Sequence, residues 1–107
     1  MASQERINEI LHRELAEGIS QEVEFPDGLI TVTGVDCASD FSYARVFISV
    51  LPDHLTGSAL RALQKASGRL MERAKRHVKF RRLPKIRWIF DPIERDYEKM
   101  ESVMKDI

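Results

Sequence analysis

The sequence predicts an α+β fold, one three-stranded sheet with helices packed on one of its faces. Three observations carry that prediction. Apolar residues recur at helical spacing near the N-terminus and again through the middle of the chain. Between those stretches, and once more after Pro84, they recur with period two. Turn-forming residues stand where the period changes, as at Pro26-Asp27-Gly28 and Pro52-Asp53. The 107 residues suit one compact domain, and no repeat or low-complexity linker divides them.

The first helix is expected from about Gln4 to Ser20. Ser3 can cap it, Glu5 suits its first turn, and Ile7, Leu11 and Leu15 recur every four residues. Gly18 is expected to loosen its last turn. Ile30-Thr31-Val32-Thr33 has strand composition, but the apolar parity slips before Val35 and Cys37. A β-bulge at Gly34 would return Val35 to the core side. After a loop at 38–42, Tyr43 to Leu51 alternates cleanly: Ala44, Val46, Ile48 and Val50 face the core, and Tyr43, Arg45, Phe47 and Ser49 face away. The two strands should form an antiparallel hairpin.

Helical spacing returns with Leu60, Leu63 and Ala66, then Leu70, Ala74 and Val78. Gly68 interrupts the run, so two helices meeting at an angle are expected. Leu83-Pro84 closes the helical stretch, and Ile86, Trp88 and Phe90 mark the core side of a third strand. The expected order is therefore α-β-β-α-α-β for residues 1–91. Residues 92–107 form a tail, with Ile93, Tyr97, Met100, Met104 and Ile107 spaced as a short amphipathic helix.

The formal net charge is zero, but it is polarised. Lys65 to Arg87 contains ten basic residues and one acid, Glu72, for a charge of +9, and the rest carries −9. Acids that usually alternate with basic residues on a solvated helix are nearly missing there, which points to a polyanionic partner. Arg69, Arg73 and Arg76 are four and three apart and share a helix face. Aromatics are not interleaved with these cations, so contact should rest on backbone phosphates more than on base stacking.

Other chemistry is poorly represented. His12, His54 and His77 have no His or Cys at metal-ligand spacing, and there is no Gly-rich phosphate loop. Neither a cofactor nor a small-molecule substrate is expected. Ser39-Asp40 reads as turn chemistry, and the acids after Asp91 suit a helix N-terminus. With one cysteine, Cys37, no intramolecular disulfide can form. Neither a signal-peptide pattern nor a membrane-spanning apolar run is present, so a cytoplasmic protein is expected.

Three blocks resemble the ribosome-binding factor A family. They are Ile30-Thr31-Val32-Thr33-Gly34-Val35 followed by Ser39-Asp40-Phe41-Ser42-Tyr43-Ala44-Arg45-Val46; Leu63-Gln64-Lys65-Ala66-Ser67-Gly68; and Phe80-Arg81-Arg82-Leu83-Pro84-Lys85-Ile86-Arg87-Trp88-Ile89-Phe90-Asp91. The resemblance spans nearly the whole chain. It implies a type-II KH-like topology, with Ala66-Ser67-Gly68 as an interhelical kink where ordinary KH domains carry a Gly-x-x-Gly clamp. It further implies a monomeric, non-catalytic factor that binds the free or immature 30S subunit, assists maturation of 16S rRNA and its precursor, and matters for growth in the cold. The RNA-binding residues expected on this reading are Lys65, Ser67, Gly68, Arg69, Arg73, Lys75, Arg76, Lys79, Arg81, Arg82, Lys85 and Arg87. Two other classes are consistent with parts of the pattern. One is a general single-stranded nucleic-acid module using the same patch. The other is a nuclease subunit using Asp40, Asp91 and Glu94.

Overall fold

The computed structural model describes residues 3–80 and 82–91. Helix α1 (Gln4–Glu22) is followed by strands β1 (Leu29–Cys37) and β2 (Tyr43–Leu51). A short 3-10 turn (Asp53–Leu55) then leads into helix α2 (Thr56–Ala74) and strand β3 (Lys85–Phe90). The sheet order is β1-β2-β3; β1 and β2 are antiparallel, whereas β2 and β3 are parallel. A parallel neighbour needs a crossover, and α2 supplies it. The expected tail at 92–107 lies outside the described residues.

Ser3 caps α1 as expected, its hydroxyl accepting from the Arg6 N–H at 3.2 Å. The helix buries Ile7, Leu11, Leu15 and Ile19 against the sheet and α2. A polar stripe four residues apart stitches α1 to the outer edge of β1. Asn8 Oδ1 accepts from the Cys37 N–H at 2.9 Å, the Gln4 amide donates to the Cys37 carbonyl, and His12 Nε2 lies 2.9 Å from the Val32 carbonyl. Backbone groups that an edge strand would leave unpaired are thereby satisfied. The hairpin register shifts between Val32 and Gly34, which places Val35 opposite Val46 and Cys37 opposite Ala44. The bulge read from the parity slip is therefore present, with Thr33 as the extra residue.

Ala44, Val46, Ile48 and Val50 are buried on the helix side of β2. Ile86 and Trp88 pack against that core, whereas Phe90 is only half-buried at the end of β3. Burial at Cys37, with Asp36 nearby, pushes its thiol up to about 11, as suits a small buried apolar group rather than a nucleophile.

The expected helical break at Ala66-Ser67-Gly68 is not there. One helix runs through it, so the order is α-β-β-α-β. The apolar face Ala59, Leu63, Ala66, Leu70, Met71 and Ala74 continues across the glycine, and its packing outweighs the ~1 kcal/mol lost in helix propensity. A Cβ at Gly68 would meet nothing within 4 Å. Close helix approach occurs instead at Gly18, where a Cβ would sit 2.8 Å from Leu70 Cδ2 and 3.4 Å from Arg73 Cδ. Gly68→Ala should accordingly raise unfolding stability by about 0.5–1 kcal/mol in urea titration. A loss of stability would show that the helix requires the missing side chain.

Candidate nucleic-acid interface

The face of α2 opposite its apolar stripe carries Lys65, Gly68, Arg69 and Glu72, and the turn that continues from it carries Lys75 and Arg76, all exposed. Helical geometry aligns them, since they recur at intervals of three and four. Glu72 pairs with Lys75 at 2.8 Å. Among the described residues no acid lies within ion-pair distance of Lys65, Arg69, Arg73 or Arg76, so a surface of mostly unpaired cations follows the helix. A groove of about 900 Å³ adjoins this surface. Its lining brings Ser67, Gly68, Arg69, Arg73, Lys75 and Arg76 together with Lys85, across a partly apolar floor of Met71, Leu83, Pro84 and Ile86.

Several predicted residues stand differently. The Ser67 hydroxyl turns inward, donating to the Leu63 carbonyl at 2.8 Å and accepting from Trp88 Nε1 at 2.8 Å. It satisfies the only indole of the chain and ties α2 to β3 beside the groove. Arg87 lies on the sheet face turned away from the helices, its guanidinium 4.0 Å from the centre of the Tyr43 ring. Lys79 and Arg82 are exposed on the connection to β3. Arg81 lies outside the described residues.

The carboxylates expected for a nuclease do not converge. Asp40 accepts from the Ser42 hydroxyl at 2.7 Å and the Ser42 N–H at 3.0 Å, forming a local turn. The Ser42 hydroxyl, then its backbone N–H, with Arg82 contributing, hold the Asp40 carboxyl below its ordinary range. The turn contact is therefore present above that range and lost as pH falls through the lowered value. Asp91 accepts from the Thr33 hydroxyl at 2.8 Å and its N–H donates to the Ile48 carbonyl. Asp40 is thus held just before the start of β2 and Asp91 beside Ile48, five residues or about 16 Å of strand rise beyond Tyr43. Glu94 lies outside the described residues.

Sequence reasoning missed the groove floor, because apolar residues at 83–86 read only as a strand approach. It also missed Arg45, which pairs with Asp36 and lies 5.9 Å from the Phe47 ring centre on the sheet face turned away from the helices. Alternation had placed Arg45 there, but its separation from the main run of cations hid it.

Comparison with known proteins agrees with this geometry. The family model described as ribosome-binding factor A matches residues 3–104. Ribosome-binding factor A of Marinobacter nauticus is 34% identical over 110 residues, covering 95% of this chain and 77% of that protein. The crystal structure of ribosome-binding factor A from Thermus thermophilus superposes with a TM-score of 0.72 at 34% identity, over 82% of this chain and 94% of that one. A Thermus thermophilus homology model fitted into a cryo-electron-microscopy map of a 30S–ribosome-binding factor A complex gives 0.66 at 36% identity, over 78% and 89%. An α+β core with a mixed three-stranded sheet, a bulged hairpin and a cationic crossover helix, matched along nearly its whole length, places the chain in the ribosome-binding factor A family.

Proposed function

We propose that this protein is a non-catalytic assembly factor that binds the 30S subunit through ribosomal RNA and assists maturation of 16S rRNA, in the bacterial cytoplasm. The observation that carries the reading is the cationic surface along α2 beside a groove, where Lys65, Arg69, Arg73 and Arg76 have no acidic partner among the described residues. Such a face neutralises phosphates and releases their condensed counter-ions. A similar Thermus thermophilus protein has been placed in a complex with 30S.

The mechanism is that of a chaperone. Arg69, Arg73, Arg76 and Lys85 grip folded or partly folded RNA, while the sheet and helices hold those cations in a fixed array. No helix among the described residues is long and apolar enough to cross a membrane. Binding as a monomer, with no cofactor, and a greater need in the cold, where misfolded RNA relaxes slowly, belong to the same proposal.

Co-sedimentation with ribosomal fractions tests it. The protein should travel with free 30S particles, and excess bulk single-stranded RNA should compete poorly. Equal competition would make it a general nucleic-acid module instead.

A further inference from the structure

Arg73 differs from every other cation on α2. Its stem is packed against α1, with Cδ 3.4 Å and Nε 3.8 Å from where a Gly18 Cβ would stand. The Nε–H is buried and has no hydrogen-bond partner, the only such side-chain nitrogen or oxygen among the described residues. Glu14 and Glu22 lie one turn of α1 to either side of Gly18, yet Arg73 pairs with neither. Glu14 is buried and holds His77 Nδ1 at 3.2 Å. The terminal nitrogens of Arg73 likewise have no partner among the described residues, and the side chain forms part of the groove wall.

A clamped guanidinium with no anion is an unfavourable arrangement for the fold alone. An unmet buried donor is destabilising, and such groups in native proteins call for an explanation. Clamping also removes the rotamer entropy that a free surface arginine loses on binding. We infer that Arg73 is a preorganised anchor for one RNA phosphate in the groove, oriented by Gly18 and gripping the phosphate with the planar fork of its terminal nitrogens. Phosphate is favoured over a protein carboxylate because Arg69, Lys75, Arg76 and Lys85 line the same groove and outnumber its two acids, Glu22 and Glu72, a field suited to a chain of repeated anions. The fork matches phosphate oxygens bidentately, which a lysine ammonium cannot do.

The inference rests on the RNA-binding reading of this face, and the two fail separately. Arg73→Met keeps the packed stem and removes both the charge and the orphan N–H. The probes are protein-free small-subunit ribosomal RNA and intact 30S particles, with Arg61→Met as the control at an exposed arginine of α2 outside the groove lining. Arg73→Met should weaken binding to both probes at least tenfold and flatten the slope of log affinity against log salt by roughly 0.7–0.9, while the melting temperature holds or rises. Arg61→Met should bind like the parent. Arg73→Lys should bind several-fold weaker than the parent with the parent's salt slope, and it decides the matter if the Met variant does not fold.

A fall in melting temperature with parent-like affinity would make Arg73 a structural strut and overturn the inference. Weakened binding to 30S with unchanged binding to naked RNA would assign the anion to a ribosomal protein, which also overturns it. Failure of the parent protein itself to bind either probe would instead refute the proposed function.

Discussion

Arg69→Glu combined with Arg76→Glu is expected to weaken association with the small subunit by roughly two to four orders of magnitude. Arg69 is exposed on the outward face of α2 and Arg76 in the turn just after it, and neither pairs with an acid among the described residues. Each charge-assisted hydrogen bond contributes about 1.5–3 kcal/mol, so losing two removes about 3–6 kcal/mol before repulsion is counted. The salt slope should flatten by roughly 1.4–1.8, because two fewer phosphates are neutralised. Thermal unfolding should barely move, since exposed side chains without partners change stability by about 0.5 kcal/mol at most. Reversing Glu9 and Glu17 to lysine, on exposed positions of α1, is the matched control and should not weaken binding. Equal binding by both double variants would exclude the α2 face. The sheet face turned away from the helices, bearing Tyr43, Arg45, Phe47 and Arg87, would then be the contact surface.

The fold was largely legible because its signals are local. Period-two alternation over Tyr43 to Leu51 identified the four buried apolar residues of β2 but not Ser49, which is buried on the other parity, and the parity slip before Val35 located the bulge. What misled was Gly68. Its propensity suggested a break, but propensity is worth about 1 kcal/mol, while a continuous apolar stripe from Ala59 to Ala74 is buried beneath it. The converse error concerned Gly18, read as a loosened turn when it is the contact point of two helices. Neither a glycine's neighbour across the fold nor the inward rotation of Ser67 toward Trp88 is encoded in local periodicity. The cationic run on the candidate site was visible as composition. Its division into a helix face, a groove wall and a stacked arginine on the far side of the sheet required the strand parity and register of β3.

Ile48→Ala is expected to destabilise the protein by about 2–5 kcal/mol. Ile48 is fully buried on the central strand, opposite Val32 of β1 and Phe90 of β3, within the core that both helices cover. Removing its outer carbons deletes apolar burial and leaves a cavity that a sheet bonded on both sides cannot readily collapse. Domains of this size are stable by about 5–15 kcal/mol, so the loss is a large share of the whole. At about 4–8 °C per kcal/mol, the melting temperature should fall by roughly 8–40 °C. Leu29, 59% exposed at the start of β1, provides the contrast: Leu29→Ala should change stability by no more than about 0.5 kcal/mol. Binding distinguishes this variant from the arginine reversals. The cations of α2 are untouched, so the folded fraction of Ile48→Ala should retain the parent's salt slope while the bound amount falls with the population of folded molecules. A loss below about half a kcal/mol would place Ile48 at the surface, and with it the helices on the opposite side of the sheet. A normal core loss accompanied by a flattened salt slope would show that the spacing of the cations depends on this residue, and the sheet would then belong to the binding apparatus as well as to the scaffold.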